Sequence, residues 1–274
     1  MKRIILTGIL AMATGLSSLM AQQAKQQKGQ PQAQPQQQQG QPAEQMVPGA
    51  KSAGESKAVI AMFQAQQQQN ADAVIKAADE LVVNFADTIF KESALLAEAQ
   101  AYQQKGDYDK ATIFNERALD SNAKSFQAML ALGEILAQRT RENDLDKEEK
   151  LTKADKYLNG TIEALKTAVK PNPQLPDAQW EEIKKFMTAQ AHNDLGLVAL
   201  TRKKYDVAIT EFKVAYDGDA QPAYQVRLAS AYQSSGNNQE AIVICDKLLA
   251  DPQLHPQIRQ VAQQIKNAAS QVKK

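Results

Sequence analysis

The sequence predicts an all-α protein built from repeated helix hairpins, preceded by an N-terminal stretch with no fold of its own. Three observations carry this. The stretch Glu92 to Ser125 reads as two amphipathic segments meeting at a glycine, Ala99-x-x-Tyr102-x-x-x-Gly106-Asp107-Tyr108-x-x-Ala111, then Ala118-Leu119. The same pattern of small and apolar positions returns further along the chain, with Lys203 and Gly236 standing where Gly106 stands. Aromatic residues make up only 5% of the chain while Ala and Gln are plentiful, a composition suited to packed helices and poor for strands.

The hairpin sets the terms for the rest. Leu95, Ala99 and Tyr102 fall on one face of its first helix, and Ala111, Ile113, Ala118 and Leu119 form the apolar set of its second. Small side chains at Ala99 and Ala111 allow close approach. Gly106 suits the left-handed backbone that ends a helix, and Asp107 suits the cap of the next. Such a pair cannot bury its apolar face alone and needs copies of itself.

Ahead of the repeats, Met1 to Ala21 has the form of a secretory signal. Lys2 and Arg3 give a positive start, Ile4 to Leu16 is apolar, and Ala21 suits cleavage before Gln22. Residues 22–56 are dominated by Gln, with Pro31, Pro35, Pro42 and Pro48, and cannot offset their ordering entropy by burial. We therefore expect a disordered linker there. Gly49-Ala50-Lys51-Ser52 is not a phosphate loop, because the required upstream glycine is missing and no strand precedes it.

Helical periodicity begins at Lys57, so the helical repeats are expected over 57–255. A degenerate first hairpin covers 57–91, with Asp87 as a cap for the next helix. The organising hairpin covers 92–125. A stretched copy occupies 126–188: Met129, Leu132, Gly133 and Leu136 mark its first helix, and Thr161, Leu165 and Ala168 lie on a long second helix from Lys147 to Lys170. Its insertion, residues 139–158, holds the charged run Arg141-Glu142-Asn143-Asp144, and Asp146 with Glu149 looks like a capping box. The next copies are 189–222 and 222–254, spaced about 34 residues apart, the tetratricopeptide period. The first helix of 189–222 is extended, from Ala178 to Arg202, so two long helices should protrude. A last helix, 256–274, should cap the open end with Ile258, Val261, Ala262, Ile265, Ala269 and Val272 on its buried face.

On these residues the chain from Lys57 to His255 resembles the tetratricopeptide-repeat family. The resemblance implies a right-handed superhelical solenoid. It departs from the family at the first bulky position, which here is Leu95, Met129, His192 and Gln225. The order of signal segment, Gln/Pro-rich stretch and repeats is similar to repeat proteins of the bacterial cell envelope, among them the Tol-Pal-associated coordinator and the outer-membrane assembly lipoprotein. That implies a periplasmic or secreted protein, with membrane contact only if the signal segment is retained. In the family the ligand face belongs to the first helix of each repeat. Carried over, it comprises Gln100, Gln103, Gln104, Gln127, Leu130, Glu134, Gln138, Gln190, Asn193, Leu197, Arg227, Ser230 and Gln233. Amides predominate, and these can donate to and accept from a peptide backbone. The expected function is a scaffold binding a peptide or partner helix in this groove. The alternative is a structural subunit of an envelope assembly that binds through the protruding long helices.

Nothing in the chain points to chemistry. Thirty-two basic and 31 acidic side chains nearly cancel, which argues against a nucleic-acid partner. His192 and His255 are isolated, too few for a metal site, and the single Cys245 has no activating base nearby in sequence. Glu148-Glu149 and Glu181-Glu182 fit solvated helix starts. Asn159-Gly160-Thr161 matches a glycosylation pattern but falls within a helix. No catalytic set, cofactor or small-molecule substrate is expected.

Overall fold

The structure, a computed structural model, describes residues 46–271, and all the regular structure among them is helical. They form two compact units. The signal segment and most of the Gln/Pro-rich stretch lie outside the described residues. No helix among those described is long and apolar enough to cross a membrane.

Unit 1 holds α1 (Ala53–Gln67), α2 (Ala71–Asn84), α3 (Lys91–Gln104) and α4 (Tyr108–Ser121). Its fold starts before residue 57, which corrects the expected end of the linker. Ser52 caps α1 by accepting from the Glu55 N–H, and Glu55 reaches back to accept from the Lys51 N–H at 2.6 Å. This Ser-x-x-Glu box satisfies donors that a helix start would otherwise leave unpaired. The other Glu55 oxygen accepts from the Thr88 hydroxyl at 2.6 Å, and the Val47 N–H donates to Ser56 at 2.8 Å. Asp87 does not cap α3. Its carboxylate pairs with Lys51, and Thr88 accepts from the Phe90 N–H instead. The core joins Val59 and Met62 of α1, Val74, Ala78 and Leu81 of α2, and Ala94, Ala97 and Ala101 of α3.

The α3–α4 turn is built as expected. Gly106 takes φ +76°, and Asp107 accepts from the Lys110 N–H at 3.1 Å. Tyr102 stacks on Phe114 at 5.3 Å. One assignment on α4 is corrected: Ile113 is half exposed, at 51%. The buried stripe runs through Ala111, Asn115 and Ala118, at helical spacing, and position 113 lies off it.

Unit 2 holds α5 (Phe126–Arg139), α6 (Lys147–Thr167), α7 (Asp177–Thr201), α8 (Tyr205–Gly218), α9 (Pro222–Ser234), α10 (Asn238–Leu249) and α11 (Pro256–Gln271). Close packing between paired helices relies on small residues. A Cβ on Gly196 would stand 2.5 Å from the Phe212 ring, which is wholly buried, and one on Gly133 would stand 2.5 Å from Leu158. Glycine there lets a large side chain from the second helix seat against the backbone of the first. The helix-ending turns agree with the repeat frame: Lys203 has φ +60° and Gly236 has φ +84°, at the positions matching Gly106.

Several expectations for the stretched region change. α6 ends at Thr167, with Ala168 already extended. Asp146 starts it without capping through its side chain; it pairs with Lys150 at 2.9 Å, beside Asp144 at 3.2 Å. The long helices do not project freely. Trp180, near the start of α7, is buried, donates to the Ala168 carbonyl at 3.4 Å and lies 6.2 Å from the Phe126 ring. At the other end, Arg202 donates to Glu148, Thr152 and Asp155 along α6. In α11, Ala262, Ile265 and Ala269 are buried, but Val261 is 42% exposed and Val272 lies outside the described residues. Gln260, Gln263 and Gln264 face water, as a cap requires.

Candidate partner-binding face

The expected face can be followed in each unit. In unit 1, Gln100 and Gln104 of α3 are exposed and, with Gln66, Gln69, Val74, Ala97 and Ala101, line a cleft of about 20 Å³. That is room for about one water. The Gln66 Oε1 is buried without a hydrogen-bond partner, the kind of acceptor such a water satisfies. Gln103 is half-buried and does not line the cleft.

In unit 2 the same register carries charge. α5, α7 and α9 are the first helices of successive hairpins, and four of the expected residues pair across them, with a fifth, Gln138, bonded to one of the four. Glu134 of α5 accepts from Gln138 at 3.1 Å and from Gln190 of α7 at 3.3 Å. Arg227 of α9 donates to the Asn193 Oδ1 of α7 at 2.5 Å. Asn193 in turn donates to Asp194 at 3.0 Å. Gln127, Leu197, Ser230 and Gln233 are half-buried on the same helices and stand outside this network. Leu130 and Asn193 are buried, 5% and 2% exposed, so their expected place on an accessible groove is corrected: Leu130 packs in the core, and Asn193 bonds to Arg227 and Asp194 beneath the surface.

Asp194, which the repeat frame did not flag, is the centre of the network. It is fully buried, and its Oδ2 has no hydrogen-bond partner. Burial and the neighbouring Glu134 push its carboxyl up to about 7, against the pull of Arg227, Gln138 and Asn193. Glu134 is also raised, by burial, with Gln138, Arg227 and Gln190 opposing. The buried Tyr224 of α9 is pushed up to about 12 by burial, then by Asp219 and Asp194. Two partly desolvated carboxylates therefore share one guanidinium, and holding both ionised is costly.

A signal for Asp194 was present in the sequence. It stands nine residues before Lys203, as Arg227 stands nine before Gly236 and Ala97 nine before Gly106. Opposite charges at one register position of neighbouring first helices mark a cross-helix pairing. The apolar surroundings of Asp194, between Ala191 and Leu195-Gly196, point the same way.

The remaining polar positions are structural. His192 contacts Glu211 of α8 at 2.7 Å. The His255 Nδ1 accepts from the Gln257 N–H at the start of α11. Cys245 is buried, and burial raises its thiol to about 11, so it stays protonated. Asn159 is exposed within α6 and donates to the Asp155 carbonyl.

No protein-family model matches the chain, and no curated protein matches it in sequence. Solved structures do match. A thermophilic TPR protein of Thermus thermophilus superposes with a TM-score of 0.53 at 18% identity, over 77% of this chain and 98% of that one. The MamA RS-1 ArsTM double mutant gives 0.53 at 12% identity, over 81% and 99%. MamA protein gives 0.51 at 14%, over 80% and 96%. At these identities the likeness is one of fold.

Proposed function

Starting from a fold shared with tetratricopeptide-repeat proteins, we propose that this chain is a non-catalytic, exported scaffold that binds a protein partner, as a peptide or a helix, on the face formed by α5, α7 and α9. One observation supports this most: three successive first helices pair Glu134 with Gln190 and Arg227 with Asn193, all four at positions the repeat frame assigns to ligand, around the buried Asp194. A purely structural face would not need a buried carboxylate with an open oxygen, since an unsatisfied buried polar group costs about 1–3 kcal/mol. Export rests on residues 1–21, whose charge and apolar pattern is that of a cleaved signal.

Photo-crosslinking tests the face. A photoreactive residue at Gln138, on the network, should capture a partner in the cells that make the protein. The same residue at Glu240, exposed on the second helix α10, should not. Capture from position 240 alone sinks the reading. The mature protein should begin at Gln22 by intact mass; an unprocessed chain in the cytoplasm removes the export claim. The alternative, assembly through the long helices, loses weight because their extra turns are occupied by Trp180 and Arg202 contacts. If it holds, Lys150→Glu with Lys185→Glu abolishes capture while Gln190→Ala leaves it.

A further inference from the structure

We infer that the α5–α7–α9 face takes a cationic side chain of its partner, a lysine or arginine, held by Glu134 in front of the buried Asp194. This rests on the proposed binding face and adds the chemistry of what it selects. Two carboxylates, Glu134 and Asp194, meet a single guanidinium, Arg227. Arg227 makes its short hydrogen bond to the neutral Asn193 amide, at 2.5 Å. The network therefore carries an excess of one negative charge when fully ionised.

The second observation is the Asp194 Oδ2. It lies in a fully buried side chain and has no partner, while the other carboxylate oxygen accepts from Asn193. Ionised, that oxygen lacks a donor, and the carboxylate shares its one counter-charge, Arg227, with Glu134. The site is incomplete as it stands. Glu134 is half-buried and Gln138 exposed, so the network opens to solvent on the α5 side. A cation arriving there meets Glu134 first. Its charge lowers the cost of ionising both acids. The charged groups acting on Asp194 come from α5 and α9, namely Glu134 and Arg227, and the Tyr224 phenol of α9 stands within their field.

Binding should then release a proton to the buffer. Asp194, which burial and the neighbouring Glu134 hold partly protonated near neutrality, ionises when the cation arrives. Affinity should rise between about pH 6 and pH 8, within the range where lysine and arginine stay charged.

The test begins with peptides selected from a random display library against the whole chain. Peptides that compete at the face, judged by loss of binding to Gln190→Ala, should share a lysine or arginine. Replacing that residue by norleucine or citrulline should weaken binding about tenfold, as loss of one charge-assisted hydrogen bond does. Glu134→Gln should weaken it similarly while leaving helical content unchanged. Calorimetry in two buffers of different ionisation enthalpy should show proton release. Face-directed peptides without a basic residue, or indifferent to Glu134→Gln and to pH, overturn the inference and leave the binding face standing. Selected peptides that ignore Gln190→Ala overturn both.

Discussion

In unit 1 the position nine residues before the turn glycine is Ala97, buried at 3% exposure beside a water-sized cleft lined by Gln66, Gln100 and Gln104. In unit 2 the same position carries Asp194 on α7 and Arg227 on α9, and the space is filled by a charged network. The repeat frame is common to both, so backbone geometry does not separate them. What separates them is the side chain at one register position: a methyl group leaves room for water, while an acid and a base draw in Asn193, Glu134 and Gln190. Unit 1 also buries an acid, Glu98 of α3, 1% exposed, which burial and then Asp79 push up to about 7 while Arg117 opposes. There the companion charges come from α2 and α4, the second helices; in unit 2 they come from the first helices α5 and α9. A buried acid beside second helices stabilises or strains the hairpin packing. One shared among first helices lies where a partner can reach its neighbours.

The largest expected effect tests whether the units are energetically separate. Phe212→Ala removes a wholly buried ring seated on Gly196 and should cost about 3–5 kcal/mol. Hydrogen exchange should then show protection lost over α7, α8 and α9, with α1–α4 little changed. Equal loss in α1–α4 means the chain unfolds as one body, and the contrast between units is then one of chemistry alone.

A smaller effect compares the two acids by pH. Both have folded-state values raised from the ordinary carboxylate range to about 7. The proton is held more tightly in the folded protein than in the unfolded chain. Their contribution to stability is thus fully present below about pH 4 and is lost as pH rises through about 7. Asp194→Asn and Glu98→Gln should each raise stability at about pH 8, by about 1–3 kcal/mol, and leave it nearly unchanged at about pH 4. Thermal denaturation across that pH range checks this. A flat profile for the wild-type chain would show that the acids ionise at their usual values. If only Asp194→Asn also weakens the partner, the functional distinction between the two acids holds.

The smallest effect concerns the turns. Gly236 has φ +84° and open space around a would-be Cβ, so Gly236→Ala should cost about 1 kcal/mol from backbone strain alone. Lys203 already carries that strain at φ +60°. Lys203→Gly should gain about 0.5–1 kcal/mol, less the small loss of its exposed ion pair with Glu142. Urea titration of the two variants reads both signs.

The helix hairpins were legible in the sequence because their signals are local. The left-handed turns at Gly106 and Gly236, the small residues at Ala99, Gly133 and Gly196, and the long α7 all follow from spacing and backbone preference within a few residues. Even the Ser52-x-x-Glu55 cap was there to be read, hidden only by the polar composition around it. Most of the binding-face residues were legible too, since the frame names their positions. Tertiary structure decided which of them act together. It buried Leu130 and left Ile113 and Val261 exposed, because a helix buries only the stripe its neighbours touch. It joined Glu134, Gln190, Asn193 and Arg227, which are distant along the chain, and seated Asp194 among them without a partner for its second oxygen. Ionisation depends on desolvation and on charges a few ångströms away, and only the assembled helices set those distances.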